Sequence, residues 1–443
     1  MLVLFCLLCL IIALAFIFFI KGENFAQKIL TPIGLFILFH SFIFFVMPML
    51  QELYGISRFP SYLVSNTDSY SMFLSVGSAF LYLIICTITV FILGKSGLDY
   101  SVLSSASLVS NDNTKLVKVV CIVFIAVGSF VMFGVVAQYV NQFAYFMYNR
   151  INLLSGYGYF IKMLVFSLPL SVLLVCEFVR QNKKNSLLLL IITFSLVFII
   201  SLLLGSRAQA LFMLPYVLIT YIFISKTKIN YRSLGKSLLA LILIFGFASS
   251  LAKVRDIIKQ DDAVLSKSAI AEEIELGEVV TKELQASFGH AELLAFVLDN
   301  SDRYEFALGR TYVAGFVSFV PRVIWPGKPL GGGPMLANIV APGSYKLGSK
   351  EGNSSLTTGV VIESYLNFGF VGVFVFAIIH GFLIYKVTCF GHRLTKTTDI
   401  ALFLLTTNFL SMTIVNAEFL GAFSAFMFVA VIIYFFNNVR IRG

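Results

Sequence analysis

The chain has 443 residues, of which 59% are hydrophobic and only 12% charged, with a mean hydropathy of +0.93 and a formal charge of +10. Soluble domains carry about a quarter charged residues, so the composition excludes an ordinary soluble protein and points to an all-α polytopic membrane protein. A basic excess suits nucleic acid only where it gathers on one surface, and here its spacing along the chain argues against that.

A membrane span needs about 20 mainly apolar residues, and about 11 such stretches occur. They lie near 1–20, 31–50, 71–94, 117–137, 159–179, 186–204, 209–225, 235–252, 367–386, 399–415 and 417–436. Lys21 and Lys28, then Lys95, Lys115 and Lys118, then Arg180, Lys183 and Lys184, then Lys226, Lys228, Arg232 and Lys236, then Lys386, Arg393 and Lys396, then Arg440 and Arg442 fall in alternate connections. The intervening short connections hold only Arg58, Arg150 and Arg207. Positive residues mark cytoplasmic loops. This pattern places the N-terminus outside, the C-terminus inside, and a large loop of 253–366 outside. The chain then divides into spans 1–8 (1–252), the loop (253–366), and spans 9–11 with the C-terminus (367–443).

The first stretch lacks a basic leader and a small-residue cleavage site before Lys21, so it reads as a retained span. Five of the six cysteines fall in apolar spans and Cys389 on the basic side, which argues against a disulfide framework or thiolate metal site. His40 lies within the second span and either has a function or bonds a neighbouring helix. The loop 138–158 is rich in tyrosine and asparagine around Arg150, with aromatics suited to the membrane interface or to sugar rings. The hairpin Gly205–Ser206–Arg207 is too short for a real loop and holds Arg207 at the outer surface. There Arg207 snorkels to headgroups or offers its planar fork of donors to a phosphate.

Residues 264–299 read as helical, with an acidic face of Glu272, Glu273, Glu275, Glu278 and Glu283. The segment 253–366 holds 11 Lys or Arg and 14 Asp or Glu, yet Gly309–Lys350 has cations and no carboxylate: Arg310, Arg322, Lys328, Lys346 and Lys350. Five of the ten prolines (Pro321, Pro326, Pro329, Pro334, Pro342), the only tryptophan (Trp325) and Gly331–Gly333 crowd the same stretch. Proline breaks a helix and successive glycines carry an entropy cost, so this is no ordinary span. Beyond it, Glu363 and Asn367 share a helix face at i and i+4. Glu363 is equally readable as a helix-start carboxylate favoured by the macrodipole.

No HExxH, GxSxG, Walker or dinucleotide motif occurs, and the four histidines are scattered. An external site with arginines, His290 beside Glu292, and membrane-proximal carboxylates remains. Those parts suit a lipid-phosphate substrate: guanidinium groups stabilise a diphosphate leaving group, and a carboxylate or His290 removes a proton from an attacking hydroxyl.

The 11-span layout, the GSR hairpin at Gly205–Arg207, PRVIWPGKP at Pro321–Pro329, ESYLNFGFVG at Glu363–Gly372, and Arg322 followed after ten residues by Gly333 together resemble the bacterial Wzy-type O-antigen polymerases. Position 218 after Arg207 is leucine, so the first arginine lacks that spacing. The resemblance covers the whole topology, and its motifs cover roughly 30 residues. It implies a GT-C-like fold in the bacterial inner membrane, with the active site on the periplasmic side. It also implies a metal-independent glycosyltransferase without cofactors. Such an enzyme moves a growing glycan from undecaprenyl diphosphate onto a new lipid-linked repeat unit, with a chain-length regulator protein as partner and no nucleic acid. On that basis Arg207, Arg322, Glu363 and His290 are catalytic, with Glu363 or His290 the base. Arg150, Arg255, Arg310, Trp325, Lys328, Gly333, Tyr365 and Asn367 bind substrate. Trp325, Tyr312, Tyr345 and Tyr365 offer sugar-stacking surfaces, and the glycine run lets backbone donors approach a phosphate. An O-antigen ligase and a flippase of lipid-linked sugars are the alternatives. A flippase would need charges along a path through the bilayer.

Overall fold

The apolar runs become helices, since in lipid every backbone polar group must be satisfied within the segment. The computed structural model describes residues 1–22, 25–55, 57, 69–94, 97, 112–204, 216–222, 224, 285, 287–349 and 353–438, and these contain helices and no strand. Nine helices among them are long and apolar enough to cross a membrane. They are α1 (Leu2–Phe19), α2 (Pro32–Tyr54), α3 (Ser69–Ile92), α4 (Asp112–Gln138), α6 (Gly158–Gln181), α7 (Lys184–Leu203), α11 (Gly359–Gly391), α12 (Thr397–Asn416) and α13 (Phe419–Asn438). Shorter helices fill the connections: α5 (Phe143–Leu153), α8 (His290–Asp299), α9 (Arg310–Phe316) and α10 (Gly332–Val340). The expected spans near 235–252 and most of 209–225 lie outside the described residues, as do the hairpin at Arg207 and the loop from 253 to 284.

Local chemistry sets several helix ends. Thr31 accepts the Gly34 N–H at 3.0 Å with Pro32 in the first turn, and Gly55 closes α2 in the left-handed region at φ 63°. Asp399 caps the start of α12 by accepting the Lys396 N–H. The helices pack chiefly as α11 and α8 along α3, α6 against α7 and α12, and α9 against α13. The backbones of α3 and α11 approach closely at Gly381, where a Cβ would stand 2.5 Å from the Cys86 carbonyl oxygen, as small residues permit in membrane bundles.

Contacts between helix ends separate two sides. On one, Lys118 pairs with Glu177 at 2.7 Å, Asn113 bonds the Asn437 carbonyl and His392 the Gly97 carbonyl. On the other, Ser57 donates to Glu292, Gln285 to Gln51, Asn353 to Asn152 and Tyr159 to the Phe319 carbonyl. The second side carries residues 287–349 and 353–358.

The bundle interior holds His40, Tyr82 and His380. His40 Nε2 lies 2.9 Å from the Ala79 carbonyl oxygen, and His380 Nε2 lies 2.9 Å from that of Leu410, with its Nδ1 3.0 Å from the Tyr82 hydroxyl. Of the two roles open to His40, the bond to a neighbouring helix is the one observed. Leu410 sits in a π-type turn, Phe409–Thr413, that interrupts α12, and a second such turn, Phe42–Val46, lies in α2.

Candidate functional site: a carboxyl cluster beneath a cationic loop

The site begins with a fault in α11. Phe368 (φ −143°, ψ 18°) and Gly369 (φ 61°, ψ −149°) leave helical geometry, so Gly359–Asn367 is a separate short helix ahead of the span proper. The break lies inside a single longer element, just past the sequence boundary expected between 366 and 367. Gly369 supplies the positive φ. The carbonyls released by the break are satisfied across the chain: Ala307 N–H bonds the Leu366 oxygen at 2.9 Å and Leu308 N–H the Asn367 oxygen at 3.1 Å. Asn367 completes the clamp. Its Oδ1 accepts the Gly309 N–H, while its Nδ2 donates to the Thr311 hydroxyl and to the Glu363 carbonyl, both at 2.7 Å. Asn367 is thus a joint between α9 and the broken helix, buried and fully occupied.

One turn earlier on the same face, Glu363 is buried. Its Oε2 accepts the Thr358 hydroxyl at 2.9 Å and the Phe419 N–H at 2.7 Å, the latter at the start of α13. Its Oε1 is also buried, and among the described residues it faces the Thr311 hydroxyl without a hydrogen bond of good geometry. A second carboxyl adjoins it: Glu418, in the tight connection between α12 and α13, accepts the Gly333 N–H on its Oε2 at 2.7 Å. Burial pushes Glu418 up to about 7, the nearby Glu363 carboxyl pushes the same way, and the Gly333 N–H opposes both.

The glycine run is the wall of this cluster. A Cβ on Gly332 would stand 3.0 Å from the Glu363 carboxyl carbon, and one on Gly333 would stand 2.5 Å from Glu418 Oε2 and from Ser355 Oγ. The first turn of α10 therefore lies against both carboxyls and gives one backbone donor, the Gly333 N–H, to Glu418. The Gly333 N–H, expected for a phosphate, is occupied by Glu418.

His290 is buried at the start of α8, with Nε2 2.8 Å from the Asn416 carbonyl oxygen. Its ring borders Gly359, where a Cβ would lie 3.0 Å from His290 Cδ2. It thus belongs to the shell around Thr358 and Glu418. Glu292, two residues further on, accepts from Ser57 and from Gln285.

The cations are placed differently. Arg322 gives Nη1 to the Lys328 carbonyl at 2.7 Å and Nη2 to the Pro329 carbonyl at 3.3 Å. Lys328 gives Nζ to the Val320 carbonyl at 2.8 Å and the Ser318 carbonyl at 3.4 Å. Burial lowers the Lys328 pKa, and the neighbouring Arg322 adds to the shift. Both cations close their own loop, Val317–Gly331. Arg310 is exposed at the head of α9, and Arg150 is half-buried in α5. Arg207 and Arg255 lie outside the described residues.

Of the four aromatics expected to stack sugars, Tyr312 has one ring face on Phe376 (centroids 4.4 Å apart) and an edge contact with Phe419. Tyr365 is buried between Phe306 and Phe370, Tyr345 is half-buried, and Trp325 is exposed at the tip of the cationic loop. Glu418 is the site residue that sequence reasoning missed. The available signal was a lone acid in a two-residue connection between two apolar spans. No group of three His, Cys, Asp or Glu side chains suited to a metal ion occurs among the described residues. An open apolar groove of about 390 Å³ between Phe390, Leu402 and Tyr434 lies toward the opposite membrane side, away from the carboxyls. Comparison with protein-family models, curated proteins and solved structures gives no match.

Proposed function

We propose that the chain is a membrane glycosyltransferase that polymerises undecaprenyl-diphosphate-linked repeat units, with the Glu363–Glu418 cluster accepting the proton of the attacking hydroxyl. The observation that carries this reading is the pair of adjoining carboxyls on the membrane side opposite the lysine-rich helix ends, one of them poised near neutral pH. A general base is most effective when its pKa lies near the working pH. In the reaction, a hydroxyl oxygen of the acceptor sugar bonds to the anomeric carbon of the donor glycan. The bond from that carbon to the lipid diphosphate breaks, the diphosphate leaves with the electron pair, and the hydroxyl proton passes to the carboxylate. The exposed Arg310, with Arg207 and Arg255, is assigned to the diphosphate, since Arg322 and Lys328 already bond loop carbonyls. The charge pattern and the family resemblance support placing it in a bacterial inner membrane with this side outward.

The test supplies purified protein in detergent with synthetic undecaprenyl-diphosphate repeat unit and EDTA, and resolves lipid-linked glycans on a gel. A ladder of products supports the polymerase. A single added unit on a different acceptor would favour a ligase, and no product from folded protein with matched substrate would end the enzymatic reading.

A further inference from the structure

The loop Val317–Gly331 combines two properties that rarely occur together. Its tip is apolar and exposed: Val323 is 94% exposed, Ile324 75%, Phe319 70% and Trp325 41%. Yet part of its polar backbone, chiefly at the neck, is bonded from within. Ile324 and Trp325 N–H both reach the Pro321 carbonyl, and Lys328 N–H reaches that of Trp325. Arg322 and Lys328 cover the carbonyls of Lys328, Pro329, Val320 and Ser318. A loop lying in water has no need to spend two cations on its own carbonyls, because water would hydrate them. A loop whose backbone leaves water must satisfy those groups internally.

The loop also sits at span ends. Tyr159, in the first turn of α6, donates to the Phe319 carbonyl at 3.0 Å. Phe316, just before the loop, packs on Phe419 and Phe423 in the first turns of α13, with ring centroids 5.7 and 4.8 Å away. The apolar tip is therefore continuous with the outer surfaces of two membrane helices.

We infer that the tip of this loop, Phe319 with Val323–Trp325, is a membrane-interface anchor whose occupant is the bilayer itself, the side chains seated among lipid headgroups and upper acyl chains. Interfacial segments bury their apolar faces about 5–10 Å into this boundary, and tryptophan favours that depth. Arg322 and Lys328, at the neck of the loop, then lie at the phosphate level. The anchor fixes the height of Gly331–Gly333, and hence of the carboxyl cluster, relative to the membrane surface. This inference is independent of the reaction proposed above.

Trp325 is the only tryptophan in the chain, so its fluorescence reports this loop alone. Full-length protein is reconstituted into phosphatidylcholine vesicles whose acyl chains carry bromine near the headgroup end or near the methyl end. The expected result is blue-shifted emission, several-fold stronger quenching by the shallow bromine than by the deep one, and little quenching by aqueous iodide. The double variant Val323→Asp, Ile324→Asp alters two exposed positions that pack on nothing in the core, and it should lose most of the bromine quenching. Full iodide quenching without bromine quenching would place the loop in water and overturn the anchor. Blue emission insensitive to both quenchers would place it beneath protein and also overturn it. So would an emission change on adding the oligosaccharide repeat unit without any bromine quenching, which would instead make Trp325 a sugar platform.

Discussion

In the loop Val317–Gly331, Arg322 and Lys328 hand their donors to carbonyls between four and ten residues away. In the carboxyl cluster, Glu363 and Glu418 take backbone donors from residues 56 and 85 positions away, Phe419 and Gly333, and Glu363 takes one local donor, the Thr358 hydroxyl. The loop is a locally closed unit whose charges hold its own shape. The cluster exists only when α10, α11 and the α12–α13 connection have assembled. Cations in a Pro/Gly-rich stretch look like a binding patch in sequence, but beside them the fold buries a carboxyl, Glu363.

The sharpest way to break this contrast is Glu363→Gln, which keeps the shape and removes the ionisable group. Polymerisation measured on the glycan gel should fall by about 10²–10⁴-fold, the usual contribution of a general base, while Arg322→Lys falls far less. Equal losses in both would erase the distinction. Next in size is Gly333→Ala. Its Cβ would meet Glu418 Oε2, Ser355 Oγ and the Leu356 carbonyl at 2.5–2.6 Å, a cost of roughly 2–4 kcal/mol. Thermal unfolding in detergent should show a clear drop in midpoint.

Glu418→Gln sharpens the comparison through pH. The folded pKa of Glu418 is raised from 4.5 to about 7, so folding favours its protonated form. That contribution is complete below about 4.5 and is lost as pH rises through 7, amounting to roughly 3 kcal/mol across the window. Native protein should lose stability between pH 5 and about 8, and the glutamine variant should show a flatter profile over the same range. The transfer rate, which needs the carboxylate, should rise through the same interval, so that activity and stability move in opposite directions. The smallest expected effect is Arg322→Ala, which removes three exposed or partly exposed hydrogen bonds, together worth about 1–2 kcal/mol. Faster proteolysis of the Val317–Gly331 loop, with the midpoint of the whole protein nearly unchanged, would show that the arginine holds the loop locally.

The membrane helices were legible because lipid imposes one rule over about 20 residues at a time. Nine of the expected spans appear as helices among the described residues, with ends shifted by a few positions. Glu363 and Asn367 were legible as one helix face, and the structure puts them one turn apart in a shared network. The break at Phe368–Gly369 was visible only as a glycine, since its geometry depends on Ala307 and Leu308 arriving to take the freed carbonyls. Glu418 was hidden for a related reason. Nothing local marks it, and its meaning comes from Gly333, 85 residues earlier. His290 was chosen because Glu292 stands nearby in sequence, yet its actual neighbours are Asn416 and Gly359, which no spacing rule would select.

The interrupted α11 also has a mechanical consequence. Because the short helix Gly359–Asn367 is pinned to Ala307–Thr311, and a Cβ on Gly372 would stand 2.2 Å from the Ser364 carbonyl oxygen, the two rods touch directly just beyond the break. Bilayers of different thickness are accommodated by tilting spans. A tilt of the longer rod would therefore press on the short helix, which links the surroundings of Glu363 to the thickness of the membrane beneath it.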